Sequence, residues 1–381
     1  ATKVRFSENT IGPAAAVALA AALESPALPL LTSVDLSDIF TGRLTAEIPS
    51  TLETLCSVLC RKPSVREVDL SDNAFGPNGC EAVMKTLLVS GSPIKSLRFN
   101  NQGNGKAGAA LLAKGLADSG MQLEAWSSGR NRLELEGATV LSGAFASMRS
   151  LTELRLYQNG IPPEGITKIA DALRSNKSLR HLDLNDNTVK EEGMRALAEV
   201  IPSLEQLSVL HLGDCLLQSG GGKVLAGAVG GLSQLKEVYA AFNELDDDAG
   251  KALVQALTKP GRGGKLTRLD VNGNEFSKAG LSSIKKSIAD DDVLGTVSDN
   301  EDGESDDDDD GDDDDEEEAD FAAGVAAASG SSGGGSGGGG VKDEGWGNLL
   351  DKFKPAPGAW KCVECRITMK KSDPKCLSCN K

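Results

Sequence analysis

Four stretches of the chain can be laid one above another: LTELRLYQNGI (151–161), LRHLDLNDNTV (179–189), LSVLHLGDCLL (207–217) and LTRLDVNGNEF (266–276). All fit L-x-x-L-x-L-x-x-N/C-x-L. The penultimate fixed position of the pattern recurs at Asn9, Ile39, Asn73, Gln102, Asn131, Asn159, Asn187, Cys215, Asn243 and Asn274, at intervals of 28 to 34 residues. A fixed period of this length signals stacked units, and the fold is read from that.

Between these segments run apolar periods of helical type, such as EGITKIADALRS (164–175) and EEGMRALAEVI (191–201), with Gly or Pro at the turns that start them. One strand and one helix cannot bury their apolar faces alone, so the units must stack. The pattern is that of leucine-rich repeats, and it predicts an α/β leucine-rich repeat solenoid (horseshoe) over residues 1–288, with strands inside and helices outside. The Asn amide can pair with backbone groups left unmet in the turn. Ile39 and Gln102 depart from that column.

Outside the solenoid the composition changes. Residues 299–320 hold 17 carboxylates and no Lys or Arg; without them 39 acidic residues face 40 basic ones, so the net charge of −16 belongs to a tail. A nearly neutral remainder argues against nonspecific nucleic-acid binding over a broad basic face. The acidic run and the following ASGSSGGGSGGGG (328–340) predict a disordered acidic tail and Gly/Ser linker over 289–344. No apolar run reaches the ~20 residues of a membrane span, and no signal segment opens the chain, so an intracellular protein is expected.

WKCVECRITMKKSDPKCLSCNK ends the sequence. Cys362, Cys365, Cys376 and Cys379 form two CxxC pairs ten residues apart, which predicts one structural zinc ion in a small finger over 345–381. Cys56 and Cys60, four apart in TLETLCSVLC, read as small apolar residues on a buried helix face. His181 and His211 sit on predicted strands of different repeats, as exposed inner-face residues, without a nucleophile at motif spacing. No GxxxxGK[ST] phosphate loop occurs, so the chain does not hydrolyse nucleotides itself. The residue before each Asn position reads Glu8, Asp38, Asp72, Asn101, Arg130, Gln158, Asp186, Asp214, Phe242 and Gly273. Stacking makes this column a rim, polar from Asp72 to Asp214.

SDIFTGR (37–43), LSDNAFGP (70–77), GRNRLE (129–134), QNGIPPEGI (158–166), DNT (186–188) and DCLL (214–217) together resemble RanGAP, the family of GTPase-activating proteins of the small GTPase Ran. The resemblance covers about residues 4–288 and extends to the acidic tail. It implies an activator of Ran rather than an enzyme, one that meets Ran in its GTP form, supports nucleocytoplasmic transport, and works in the cytoplasm or at the nuclear envelope. It further implies that Asn101 touches the water-positioning Gln of Ran and that Arg43 serves stimulation, with Asp72, Arg130, Gln158, Asp186 and Asp214 lining the contact. The interval from Ile39 to Asn73 is five or six residues longer than a unit, which predicts a protruding loop displaying Arg43. Whether Arg43 reaches phosphate or only anchors Ran stays open between two mechanisms.

GAWKC and GWGNLLDKFKP resemble the small zinc fingers of Ran-binding nucleoporins, although Met369 stands where that family has Asn. The candidate ligands of the finger are therefore Ran in its GDP form, RNA and ubiquitin. The competing reading of the whole chain is a noncatalytic leucine-rich repeat scaffold, as in ribonuclease-inhibitor-like proteins, with an RNA- or ubiquitin-binding finger.

Overall fold

The central apolar residue of each pattern, Leu, Val or Trp, sits in the middle of a three-residue strand, from β1 (Lys3–Arg5) to β10 (Arg268–Asp270), and each apolar period after it forms a helix, from α1 (Pro13–Glu24) to α10 (Lys278–Ser287). These elements belong to a computed structural model that describes residues 1–288 and 292–300, with the backbone of 360–361 and 368–369. The chain divides into two compact units, Ala1–Asp308 and Asp309–Lys381.

In the first unit the ten strands form one parallel sheet in chain order. Register follows the pattern: Glu153–Arg155 pairs with His181–Asp183, so Leu154 and Leu182 coincide. Those central side chains are fully buried, while the flanking ones lie on the sheet's other face. Each helix packs against the helices before and after it, so the core is one continuous layer between sheet and helices.

The helix in Pro163–Leu173 shows how a unit closes. Pro163 starts it with a preset φ, and Ile166, Ile169, Ala170 and Leu173 make one buried stripe. Each fully buried Leu or Ile contributes roughly 1.5–3 kcal/mol. Asn176 ends it: the buried amide donates to Phe145 O and Ala172 O at 2.9 and 3.1 Å, and accepts from Leu151 N at 3.2 Å.

The expected asparagine column is a hydrogen-bonded ladder. Asn187 accepts from the backbone N–H of Asn159 and Ile161 at 3.2 and 3.0 Å and donates to Leu156 O and Leu184 O at 3.0 and 2.9 Å. Asn73, Asn131, Asn159, Asn243 and Asn274 do the equivalent. Gln102 takes the same place, its longer amide donating to Leu70 O while its own N–H donates to Asn131 Oδ1 at 2.9 Å. Ile39 is a true gap, a fully buried apolar side chain with no polar atom to offer.

The long interval after Ile39 is exposed from Thr41 to Ala46 and displays Arg43, as the sequence leads one to expect, and it is an ordered turn. Arg43 N–H donates to Phe40 O at 2.9 Å, closing a turn in which Gly42 takes φ 78°. Thr10 Oγ1 donates to Thr41 O at 3.0 Å, and Thr41 Oγ1 to Asp38 Oδ1 at 2.6 Å. A 3-10 turn, Thr45–Glu47, then leads into the next helix, Ile48–Leu59. The extra residues thus form an ordered turn tied to the preceding repeat, with the side chains of Ile39 and Phe40 buried beneath it.

At the other end, residues 292–300 continue the stack past position 288. Leu269 N–H donates to Val293 O and Gly295 N–H to Leu269 O, both at 2.8 Å. Asn300 Oδ1 accepts from Asn274 N–H at 3.0 Å while its amide donates to Val297 O at 2.8 Å, which is the ladder bond once more. Of the second unit, the two-residue strands Trp360–Lys361 and Thr368–Met369 pair antiparallel, with Trp360 opposite Met369. Cys362, Cys365, Cys376 and Cys379 lie outside the described residues, as do residues 301–344 of the expected tail and linker.

Candidate functional site

Every member of the rim column leaves its strand in the left-handed region. Glu8, Asp38, Asp72, Asn101, Arg130, Gln158, Asp186, Asp214 and Phe242 have φ between 46° and 66°, and Gly273 has φ 60°. Asn and Asp tolerate this; for Arg, Gln and Phe it costs on the order of 1–2 kcal/mol each. The cost is met by the ladder and by backbone bonds that hang each rim residue on the next repeat: Asp72 N–H to Asn100 O, Asn101 to Gly129 O, Arg130 to Tyr157 O and Gln158 to Asn185 O, at 2.8–3.0 Å. Adjacent rim residues therefore stand one strand apart, ~4.8 Å.

Side chains along the rim fall into two bonded pairs and two carboxylates. Asn101 Nδ2 donates to Asp72 Oδ1 at 3.0 Å. Arg130 Nε donates to Gln158 Oε1 at 2.5 Å. Asp186 and Asp214 follow, beside a shallow depression of ≈ 280 Å³ lined also by Arg132, Glu134 and Leu216. Beneath Asn101 the core carries its largest side chains: Phe99, Trp126 and Phe145, with ring centroids 5.2 and 5.7 Å apart and all fully buried. That packing fixes the repeat that presents Asn101.

Arg43 lies at the N-terminal side of this rim, in the turn two strands before Asn101, roughly 10 Å along it. Its guanidinium pairs with Glu47 at 3.7 Å and is folded over Gly12, where a Cβ would fall 2.4 Å from Nη1. Gly12 is the N-cap of α1, the positive end of that helix, so Arg43 is held loosely by one half-exposed ion pair against an unfavourable dipole. The rim thus brings Asp72, Asn101, Arg130, Gln158, Asp186 and Asp214 into one line, with Arg43 folded back beside it.

On the sheet's open face the two histidines are not the exposed residues expected. They are half-buried and stacked, His181 on His211 at 5.2 Å and His211 on Tyr239 at 4.0 Å and 7°. Burial pushes His181 down to about 4, helped by Arg155 and His211. Burial also lowers His211, against the pull of Asp183, whose own carboxyl is raised by burial. Cys56 and Cys215 are buried thiols pushed up to about 12, and no group of His, Cys, Asp and Glu among the described residues is arranged to hold a metal. Sequence reasoning passed over Glu47, which holds Arg43, and Tyr157, which lies over Gly129. A glycine two residues before the ladder Asn, where neighbours carry Asn100 and Tyr157, was the available signal.

Fold and rim together define a leucine-rich repeat solenoid that presents a line of polar side chains along one edge. A sequence profile described as Leucine Rich repeat matches residues 61–84, 175–198 and 265–285. The chain is 39% identical to Ran GTPase-activating protein 1 of Xenopus laevis over 171 residues, 42% of this chain and 29% of that protein. It is 40% identical to Ran GTPase-activating protein 2 of Caenorhabditis elegans over 165 residues, 40% of this chain and 17% of that one. It is also 30% identical to Ribonuclease inhibitor of Sus scrofa over 197 residues, 42% of this chain and 40% of that protein. Each match spans less than half the length of the relative.

Proposed function

We propose that this chain is a GTPase-activating protein for the small GTPase Ran and acts through its rim. The observation that carries the reading is the unbroken polar column from Asp72 to Asp214, held in one backbone conformation, on a chain similar to two Ran GTPase-activating proteins. The chemistry belongs to Ran: water attacks the γ-phosphorus, the bond to the bridging oxygen breaks, and the activator forms no covalent bond. Asn101 orients Ran's water-positioning glutamine. Its Nδ2 is committed to Asp72, while its Oδ1 has no partner among the described residues and is available to accept from that glutamine's amide. Arg43 places Ran, released from Glu47 on contact, and Asp72, Arg130, Gln158, Asp186 and Asp214 extend the interface to the GTP-bound form.

Single-turnover GTP hydrolysis by Ran tests both roles. Asn101→Ala should lower the rate at saturation by about 10²-fold, the cost of one preorganised group, while Ran still binds. Arg43→Ala should raise the activator concentration needed and recover at saturation. An Asn101→Ala variant with full saturating rate sinks the mechanism. A loss of about 10³-fold at saturation in Arg43→Ala, not restored by Arg43→Lys, would make Arg43 an arginine finger instead.

The similarity to a ribonuclease inhibitor favours one other reading, a scaffold that binds without stimulating. Tight binding of Ran with no acceleration of hydrolysis would select it. For the rest of the chain, Cys362, Cys365, Cys376 and Cys379 hold one structural zinc ion, on the support of their spacing. The finger keeps the activator near Ran, in the cytoplasm or at the nuclear envelope, where nucleocytoplasmic transport needs it. An activator lacking 345–381 that distributes in cells as the full chain does would remove that role.

A further inference from the structure

Tyr157 stands in the turn after the strand Glu153–Arg155, two residues before its ladder Asn159. Its ring is laid on Gly129 of the preceding repeat. A Cβ built there would fall 2.3 Å from Cζ and 2.5 Å from both Cε atoms, so the hydroxyl end of the ring occupies the space a side chain would need. The same Gly129 accepts from Asn101 N–H at 2.9 Å through its carbonyl and donates to Asn100 Oδ1 at 2.8 Å through its own N–H. Tyr157 O in turn accepts from Arg130 N–H at 3.0 Å. The phenol therefore covers the residue whose carbonyl holds the Asn101 N–H.

Two further observations suit a contact residue. The side chain is half-buried, and its hydroxyl finds no hydrogen-bond partner among the described residues, although charged and polar groups crowd that face. Burial, with the Asp183 carboxylate, raises its pKa, so the hydroxyl is a donor at neutral pH. A ring held flat by a glycine has few ways to move, and a rigid aromatic with a polar tip gives area and direction at little entropic cost.

We infer that Tyr157 is a specificity-determining contact for the GTPase, its hydroxyl donating a hydrogen bond to an acceptor on the surface that faces Asn101. The inference rests on the proposed reading of the rim. It assigns Tyr157 to binding alone, since the ring covers Gly129 and the orienting contact belongs to Asn101. Gly129 is then a positioning residue: its φ lies outside the left-handed region, so alanine fits the backbone there and fails only against the ring.

The test is steady-state stimulation of Ran by the full chain, the single variants Tyr157→Phe, Tyr157→Ala and Gly129→Ala, and the double variant of the last two, with thermal unfolding alongside. Tyr157→Phe should raise the concentration for half-maximal stimulation about fivefold, the effect of one neutral hydrogen bond, with unchanged saturating rate and melting temperature. Gly129→Ala should raise it at least as much by displacing the ring, and should add nothing to Tyr157→Ala. A Tyr157→Phe variant with wild-type half-saturation overturns the inference, as does Gly129→Ala adding fully to Tyr157→Ala, which would trace its effect to the Asn101 backbone bond. If the wild-type chain fails to accelerate Ran at all, the functional reading falls first and the inference with it.

Discussion

Asn187 carries more of the fold than its size suggests, since its amide meets two N–H and three C=O groups of two repeats. Asn187→Ala strips a partner from five backbone groups in a site that is 4% exposed. The expected loss is on the order of 3–5 kcal/mol by denaturant unfolding, and a loss below about 1 kcal/mol would mean that water replaces the amide. The stacked histidines carry a pH dependence. An unfolded imidazole takes up its proton near pH 6.5, but folded His181 does so only at about 4, so its contribution is complete above pH 6.5 and is lost as pH falls toward 4. Arg155 opposes a charge on either ring and His211 opposes one on His181, while Asp183, Glu237 and Asp270 favour it on His211, with Tyr239 stacked on the far side. The melting temperature should fall between pH 7 and 4.5, and His181→Gln should flatten that slope; equal slopes in both proteins would refute the assignment.

Strand, helix and ladder were legible in the sequence because each depends on contacts that recur every unit. The central apolar residue of each strand, the Asn after it and stripes such as Ile166 to Leu173 have the same neighbours in repeat after repeat, so period alone locates them. Three features escaped because they depend on which repeat stands next door. The Arg43 turn is pinned by Thr10 and covered at Gly12, both in the repeat before it. The Tyr157 ring needs the glycine of its neighbour. The half-repeat at 293–300 has Gly295 where the pattern wants Leu, and only V-x-x-N at its end, with the tripeptide Ser298-Asp299-Asn300 repeating Ser71-Asp72-Asn73, betrays it. That half-repeat closes the edge of β10: Asn272 Nδ2 donates to Asp299 Oδ2 at 2.7 Å and Asp299 N–H to Asn272 Oδ1 at 3.1 Å. A chain ending at residue 288 should melt several degrees lower than one ending at 300 and lose amide protection first in α10; equal melting curves would show the half-repeat to be ornamental.

In the whole molecule the first unit owes its order to stacked neighbours, and the second is too short to bury a large core. Their stabilities should separate. Chelation should remove one zinc ion per chain and abolish the dispersed NMR signals of 345–381, while the solenoid's unfolding transition stays in place. A solenoid that melts earlier when zinc is withdrawn would join what is here kept apart. The left-handed step shared by every rim residue makes the edge a ruler, graduated at ~4.8 Å with one mark per repeat. Excising one 28-residue interval, from just after Asn131 through Asn159, would bring Asp186 next to Arg130 and renew the ladder and the strand pairing between units, at the loss of Tyr157 and Gln158. Asn101 and Asp214 would both survive, yet a partner gripping them together would find its two handholds closer by one graduation. The count of repeats between two side chains is thus itself a specification of the partner, written in length rather than in charge.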